Sequence, residues 1–286
     1  MKTLVVKSAT ILANVLPMDV KKSFYHLGPL TKWIRMILNK NLPQGFSQNT
    51  IAGGILAGHP FLLDMQSEKD YWLGTYETMM LEIIQKLVKP GWVVYDVGAN
   101  VGYLTVLFAK LVGETGLVYA FEPYPANVQR LKNNVELNHY TERVQVFQSA
   151  VGKREGTVDF YIGASDDTGK IEGIISEKEK MNGEKISVPC IALDEFIIQA
   201  GNRPPQLVKM DIEGAEVLAM QGMLDLVWKV KPVLLIEIHG LAAAESVWTH
   251  LTKADYWIYR VGNDGKPINK VEELRRKDYI LGLPCR

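Results

Sequence analysis

Apolar and polar positions change rhythm along the chain. Over residues 1 to about 70, short apolar pieces are cut apart by Pro17, Pro29, Pro43 and Pro60, and Gly53-Gly54 marks a turn, so a helical and loop accessory segment is expected. From Tyr76 to Val88 the apolar residues Met79, Met80, Ile83, Ile84 and Leu87 recur at helical spacing until Lys89-Pro90-Gly91 stops them. Val93 to Val97 is then a short run rich in β-branched residues, as in a strand buried on both faces of a parallel sheet. A glycine loop leads into a helix over Tyr103 to Leu111. A strand follows at Leu117 to Phe121, then a helix at Pro125 to Asn138 and a strand at Val144 to Gln148.

The rhythm lapses over Gly152 to Asn182, where Gly163, Asp166, Asp167, Gly169 and Gly173 point to a β-excursion and an exposed loop, a candidate lid. It resumes with a strand at Gln206 to Met210, a helix at Glu216 to Leu226, a strand at Val233 to Ile238 and a helix at Ala242 to Thr252. Two more strands lie near Trp257 to Val261 and Tyr279 to Leu283. Strands alternating with helices predict one doubly wound, Rossmann-like α/β sheet. The expected division is an accessory, substrate-side segment over 1–75 and a catalytic domain over 76–286.

Composition narrows the partners. The 286 residues can bury a core without staples, and 32 Lys and Arg balance 32 Asp and Glu, so no net positive field draws the chain to nucleic acid. Cys190 and Cys285 have no zinc-ligand spacing and form no disulfide framework, which fits a reducing cytoplasm. Lys7 interrupts the apolar N-terminus, no small-residue cleavage pattern follows, and no apolar run reaches the ~18 residues of a membrane span. A cytoplasmic protein without stable membrane insertion is expected. Leu4 to Val20, flanked by lysines at 2, 7, 21 and 22, is read as packing onto the catalytic domain, with a homodimer arm, a groove wall or a membrane-surface contact as alternatives.

The strongest local signal is Asp96-Val97-Gly98-Ala99-Asn100-Val101-Gly102, between the first core strand and the first core helix. Ligands of open α/β sheets bind at the carboxyl ends of strands, where strand order reverses. A dinucleotide loop needs a middle glycine so that pyrophosphate can rest on bare amides, but Asn100 stands there and Asp96 would repel a phosphate. S-adenosylmethionine (SAM) has no phosphate and carries a sulfonium and an ammonium that a carboxylate attracts. In Phe121-Glu122-Pro123, Glu122 is placed to accept both ribose hydroxyls, as it would be for NAD. Ser149-Ala150 either lies over the adenine or is a plain turn. Trp72 to Glu77 either covers the methionine end of SAM, with Glu77 as a contact, or staples the N-terminal segment to the core.

The acidic strand ends bear on the acceptor. Asp211 and Glu213, after the strand ending Lys209-Met210, face the reactive end of the donor, where carboxylates orient a hydroxyl or take its proton. Capping of the next helix is the alternative, most strongly for Glu216. Glu237 and His239 should share a strand face; Glu237 is a candidate catalytic or substrate-orienting residue, and His239 beside an acid is a candidate general base, with a hydrogen-bonded structural histidine as the alternative. A divalent cation on Asp211, Glu213, Glu237 and His239 is not favoured, because nothing in the sequence fixes their geometry. Placement alone can supply much of the rate, since oriented reactants reach effective molarities of ~10⁵ M.

Four motifs together resemble the FkbM family of SAM-dependent methyltransferases. They are Asp96-Val-Gly-Ala-Asn-Val-Gly102, Phe121-Glu-Pro123, Leu131-Lys-Asn-Asn134 with Leu137-Asn138, and Lys209-Met-Asp-Ile-Glu-Gly-Ala-Glu216. The resemblance covers roughly Glu77 to His239. It implies a seven-stranded class I methyltransferase sheet, SAM as donor and S-adenosylhomocysteine as product. It also implies O-methylation of a sugar, polyketide or other specialised metabolite, as in natural-product biosynthesis. Some relatives methylate peptide side-chain amide nitrogen, which is the runner-up. An NAD-linked oxidoreductase and a non-catalytic SAM-binding protein are more distant alternatives. Residues 1 to 70 match no motif and are expected to choose the acceptor.

Overall fold

A computed structural model describes residues 44–162, 169–171, 184–262 and 265–285. The chain divides into two compact units, Met1–Glu82 with Glu136–His139, and Ile83–Val135 with Tyr140–Arg286.

In the first unit, β1 (Phe46–Thr50) pairs antiparallel with β2 (Pro60–Asp64), in register Phe46↔Asp64 to Thr50↔Pro60. A helical and loop segment was expected, so this hairpin is a correction. Its first strand, Phe-Ser-Gln-Asn-Thr, is almost wholly polar and carries no apolar alternation for a period-2 reading to find. The β2 strand does alternate, with Phe61 and Leu63 buried. A short helix, α1 (Lys69–Leu73), follows, and α2 (Thr78–Leu87) begins here. The stretch Leu4 to Val20 and the first three prolines of the N-terminal reading lie outside the described residues.

The second unit is built on seven strands in the order β12-β13-β11-β10-β3-β4-β5. These are β3 (Val93–Val97), β4 (Leu117–Phe121), β5 (Val144–Phe147), β10 (Leu207–Met210), β11 (Val233–Glu237), β12 (Tyr256–Arg260) and β13 (Tyr279–Pro284). From β3 the chain steps outward through α3 (Tyr103–Val112), β4 and α4 (Pro125–Leu137) to β5, then crosses to β10 on the other side. Strand order therefore reverses between β3 and β10. Only β13 runs antiparallel to its neighbours, β11 and β12. This is the seven-stranded class I methyltransferase sheet.

Every residue of β3 is buried, as the uninterrupted apolar run implied. Tyr95, Tyr119, Phe121 and Phe147 from three adjacent strands meet Phe196 at ring-centroid distances of 5.0–5.7 Å. Edge-to-face pairs of this kind contribute about 0.5–1.5 kcal/mol each beyond burial, and they fix the strands that carry the donor loop.

The lapse in rhythm holds a second sheet, ordered β6-β9-β7-β8. It comprises β6 (Ala150–Val151), β7 (Gly156–Ile162), β8 (Gly169–Ile171) and β9 (Glu184–Ile191). The rest of the candidate lid, residues 163–168 and 172–182, lies outside the described residues. Two details differ from expectation. Helix α5 (Leu193–Ile198) was not foreseen. The helix expected over Glu216 to Leu226 ends at Gln221 as α6 (Glu216–Gln221), and a wider π turn over Leu226–Val230 follows. Gly222 makes the break: a Cβ there would meet the carbonyl oxygen of Gly152 at 2.0 Å. Asp194 of α5 then caps the new turn, accepting the Asp225 and Leu226 amides at 2.9 and 2.8 Å. The last helix, α7 (Leu241–Lys253), covers β11 to β12.

Candidate active site

The loop after β3 is tied from three sides. The Gly98 and Ala99 amides both donate to the Phe121 carbonyl at 3.0 Å, and the Asp211 amide donates to Val97 at 3.1 Å. Asn134 of α4 donates to the Val101 carbonyl at 2.8 Å. Gly98 has φ 77°, and a Cβ on it would meet the Asp211 carbonyl oxygen at 1.9 Å, so only glycine lets the loop and the end of β10 touch. Gly102 and Ala99 are buried in the same turn.

Asp96 sits at the end of β3, fully buried, but its carboxylate is engaged within the protein. One oxygen accepts the Thr105 hydroxyl at 2.6 Å, and the other lies 3.4 Å from the Lys209 ammonium. Lys209, itself buried, also donates to the Gly98 carbonyl at 2.8 Å. A buried charge is tolerated when paired and hydrogen-bonded, and this pair braces the loop from beneath. Lys209 was not singled out from the sequence, although a lone lysine in the run Leu-Val-Lys-Met was the available signal.

Glu122, just past β4, is also buried. It accepts the Asn100 amide on Oε2 and the Tyr124 amide on Oε1, each at 2.9 Å. Burial pushes its carboxyl up to about 7, against the opposing pull of those two amides, Lys209 and Asn127. Asn100 adopts φ 49°, which aims its amide at Glu122 and clamps loop to acid. Pro123 is half-buried beside it. Ser149, two residues beyond β5, keeps a buried hydroxyl with no protein partner. Ala150 starts β6 and is paired with Cys190, so it is a strand residue of the second sheet. Glu77 belongs to the first unit, immediately before α2, with φ 38°.

Asp211, Glu213, Glu237 and His239 are brought together at the carboxyl ends of β10 and β11. His239 Nε2 lies 3.5 Å from Glu237 Oε1 and 3.8 Å from both Asp211 Oδ1 and Glu213 Oε2. Its Nδ1 is 2.9 Å from Oε1 of Glu216, which is completely buried. The capping reading of Glu216 is partly realised, since the same oxygen accepts the Gly214 amide at 3.2 Å. Tyr279 of β13, unforeseen because it lies 68 residues away, donates to Asp211 Oδ2 at 3.3 Å. Burial alone would pull the imidazole of His239 down. The hydrogen bond and charge of Glu216, with the charges of Asp211 and Glu237, instead raise it to about 9. Glu237 is pushed up to about 7, by burial first and then by Asp211.

A family model described as the methyltransferase FkbM domain matches residues 96–263. The chain is 28% identical over 182 residues to the 31-O-demethyl-FK506 methyltransferase FkbM of Streptomyces tacrolimicus, covering 55% of this chain and 69% of that one. It is 29% identical over 152 residues to the 2-O-methyltransferase NoeI of Sinorhizobium fredii, covering 49% and 61%. It is 28% identical over 192 residues to the hexuronic acid methyltransferase AglP of Haloferax volcanii, covering 66% and 70%. The matches thus span between 61% and 70% of the length of these relatives.

Proposed function

The chain belongs to the FkbM methyltransferase family, and from that premise we propose that it methylates a hydroxyl oxygen of a sugar, polyketide or other specialised metabolite, with SAM as donor. The observation that carries this reading is the contact between Gly98 and Asp211. It sets the carboxylate corner directly against the donor loop, on the same end of the sheet.

The residues present fit that donor. Glu122 is held by two backbone amides and by the side chain of Asn127, and its remaining acceptor capacity suits a ribose hydroxyl. The unpartnered Ser149 hydroxyl suits a polar edge of the adenine. Gly98, Ala99, Asn100 and Gly102 form the wall, and the Asn100 amide, which a pyrophosphate would need, donates to Glu122 instead. SAM, when bound, supplies an electrophilic methyl group on a positively charged sulfur.

Asp211, Glu213 and Glu237 would then orient the acceptor hydroxyl, and one of them would take its proton as the oxygen is methylated. His239 holds the carboxylates in place through its ring edge. The 31-O-demethyl-FK506 methyltransferase FkbM and the 2-O-methyltransferase NoeI support oxygen as the acceptor atom, and the hexuronic acid methyltransferase AglP supports a sugar-type acceptor. No observation favours a peptide amide nitrogen, which would need stronger polarisation than a hydroxyl.

Calorimetric titration with S-adenosylhomocysteine tests the donor half. Micromolar binding by the wild type that collapses in Glu122→Ala supports it, and no binding by folded wild type refutes it. Labelled SAM with a panel of hydroxyl and amide acceptors tests the other half. Transfer to amide nitrogen alone would overturn the hydroxyl assignment.

A further inference from the structure

Asp211, Glu213, Glu216 and Glu237 place four carboxylates around a single imidazole. Among the described residues, no Lys or Arg forms an ion pair with any of them. Carboxylates gathered in a partly buried corner are costly unless a cation compensates them, and among the described residues His239 is the one basic side chain that pairs with them.

The geometry says where a cation would sit. The side chain of His239 is 6% exposed, and Glu216 fixes its ring through Nδ1. Nε2 therefore points into the remaining carboxylates, which stand 3.5–3.8 Å away, too far for a short hydrogen bond. Donors bound at about 2.1 Å to a shared ion lie roughly 3.0–3.5 Å apart, so the carboxylates would close on Nε2 by up to about 0.8 Å as an ion binds. One donor atom from each of Asp211, Glu237 and His239 lies within 4.8 Å of the others. The far ring nitrogen resting on a buried carboxylate is the outer arrangement that orients metal-binding histidines. Tyr279 occupies Oδ2 of Asp211 and leaves Oδ1 turned to the cluster.

We propose that Asp211, Glu237 and His239 form a divalent-cation site, suited by its mixed carboxylate and imidazole donors to a first-row ion such as Mn²⁺. Three protein donors leave coordination positions open. Two neighbouring oxygens of the acceptor can fill them, which narrows the acceptor to a hydroxyl with an adjacent oxygen, as in the vicinal hydroxyls of a sugar. The ion acidifies the bound hydroxyl, and its proton passes to Glu213, the half-buried carboxylate outside the donor set. This role rests on the methyl-transfer reading, whereas the ion site itself does not.

The test is titration of metal-free, full-length protein with Mn²⁺, followed by electron paramagnetic resonance without donor or acceptor. One ion per chain, with nitrogen modulation from a directly bound imidazole, is expected. His239→Ala and Glu237→Gln should each weaken uptake at least tenfold. The nitrogen signal needs no variant, and S-adenosylhomocysteine binding by the variants reports that they fold. Uptake only at millimolar Mn²⁺ by wild type, absence of the nitrogen signal, or uptake unchanged in both variants overturns the site. If Mn²⁺ binds and S-adenosylhomocysteine does not, the ion site stands and the donor reading falls; the reverse result leaves the donor reading in place without the ion.

Discussion

Glu122 shows how one side chain can set a pH profile. Its carboxyl titrates near 7 because burial disfavours the charge more than the amides of Asn100 and Tyr124, the side chain of Asn127 and the charge of Lys209 favour it. If Glu122 holds the ribose as proposed, the hydroxyls donate to the ionised form, so binding selects the carboxylate, and protonation must be reversed when pH lies below about 7. Affinity for S-adenosylhomocysteine is therefore expected to be about tenfold weaker at pH 6 than at pH 8. Glu122→Gln should bind weakly with little slope, and a flat wild-type profile would remove Glu122 from the ribose. Gly98→Ala is expected to abolish donor binding, because its Cβ would collide with the Asp211 carbonyl at 1.9 Å in a φ of 77°. Circular dichroism beside calorimetry separates that loss from unfolding.

At the scale of elements, the parallel strands were legible because each is a short apolar run between turn residues, and their helices because the apolar spacing changes to 3.6. Hairpin β1–β2 was not, since a strand of Ser, Gln, Asn and Thr is stabilised by its partner and leaves no periodic trace. The break at Gly222 was hidden for a related reason: it depends on a carbonyl 70 residues earlier in the chain. The candidate site residues could be placed at strand ends from the sequence, but their pairing could not. Asp96 read as a partner for the cationic donor, yet the strand opposite delivers Lys209 to it. Lys209→Met should cost about 3–5 kcal/mol in urea unfolding, because it leaves Asp96 buried and uncompensated. Adding Asp96→Asn should restore part of that loss, and strictly additive effects would mean that the two residues do not act as a pair. Asp194→Ala, which uncaps the π turn, should cost about 1–2 kcal/mol and leave donor affinity unchanged.

For the whole molecule, the sheet topology puts the two proposed halves of the site on different sides of one strand. From β3 the residues proposed for the donor lie toward β4 and β5, at Glu122 and Ser149, and the carboxylates lie toward β10 and β11. The reversal of strand order makes this possible, because no crossover helix covers the groove between β3 and β10. All the residues assigned to the ribose, the adenine and the donor loop belong to the second unit, whereas Glu77, read as a contact of the methionine end, belongs to the first. Removing residues 1–43 should therefore change S-adenosylhomocysteine affinity by no more than about twofold, the usual coupling between sites without shared partners. Acceptor turnover should fall far more if the N-terminal segment selects the acceptor. Equal loss of both would mean that this segment helps to build the donor site, and Glu77 would be the first residue to substitute in search of the link.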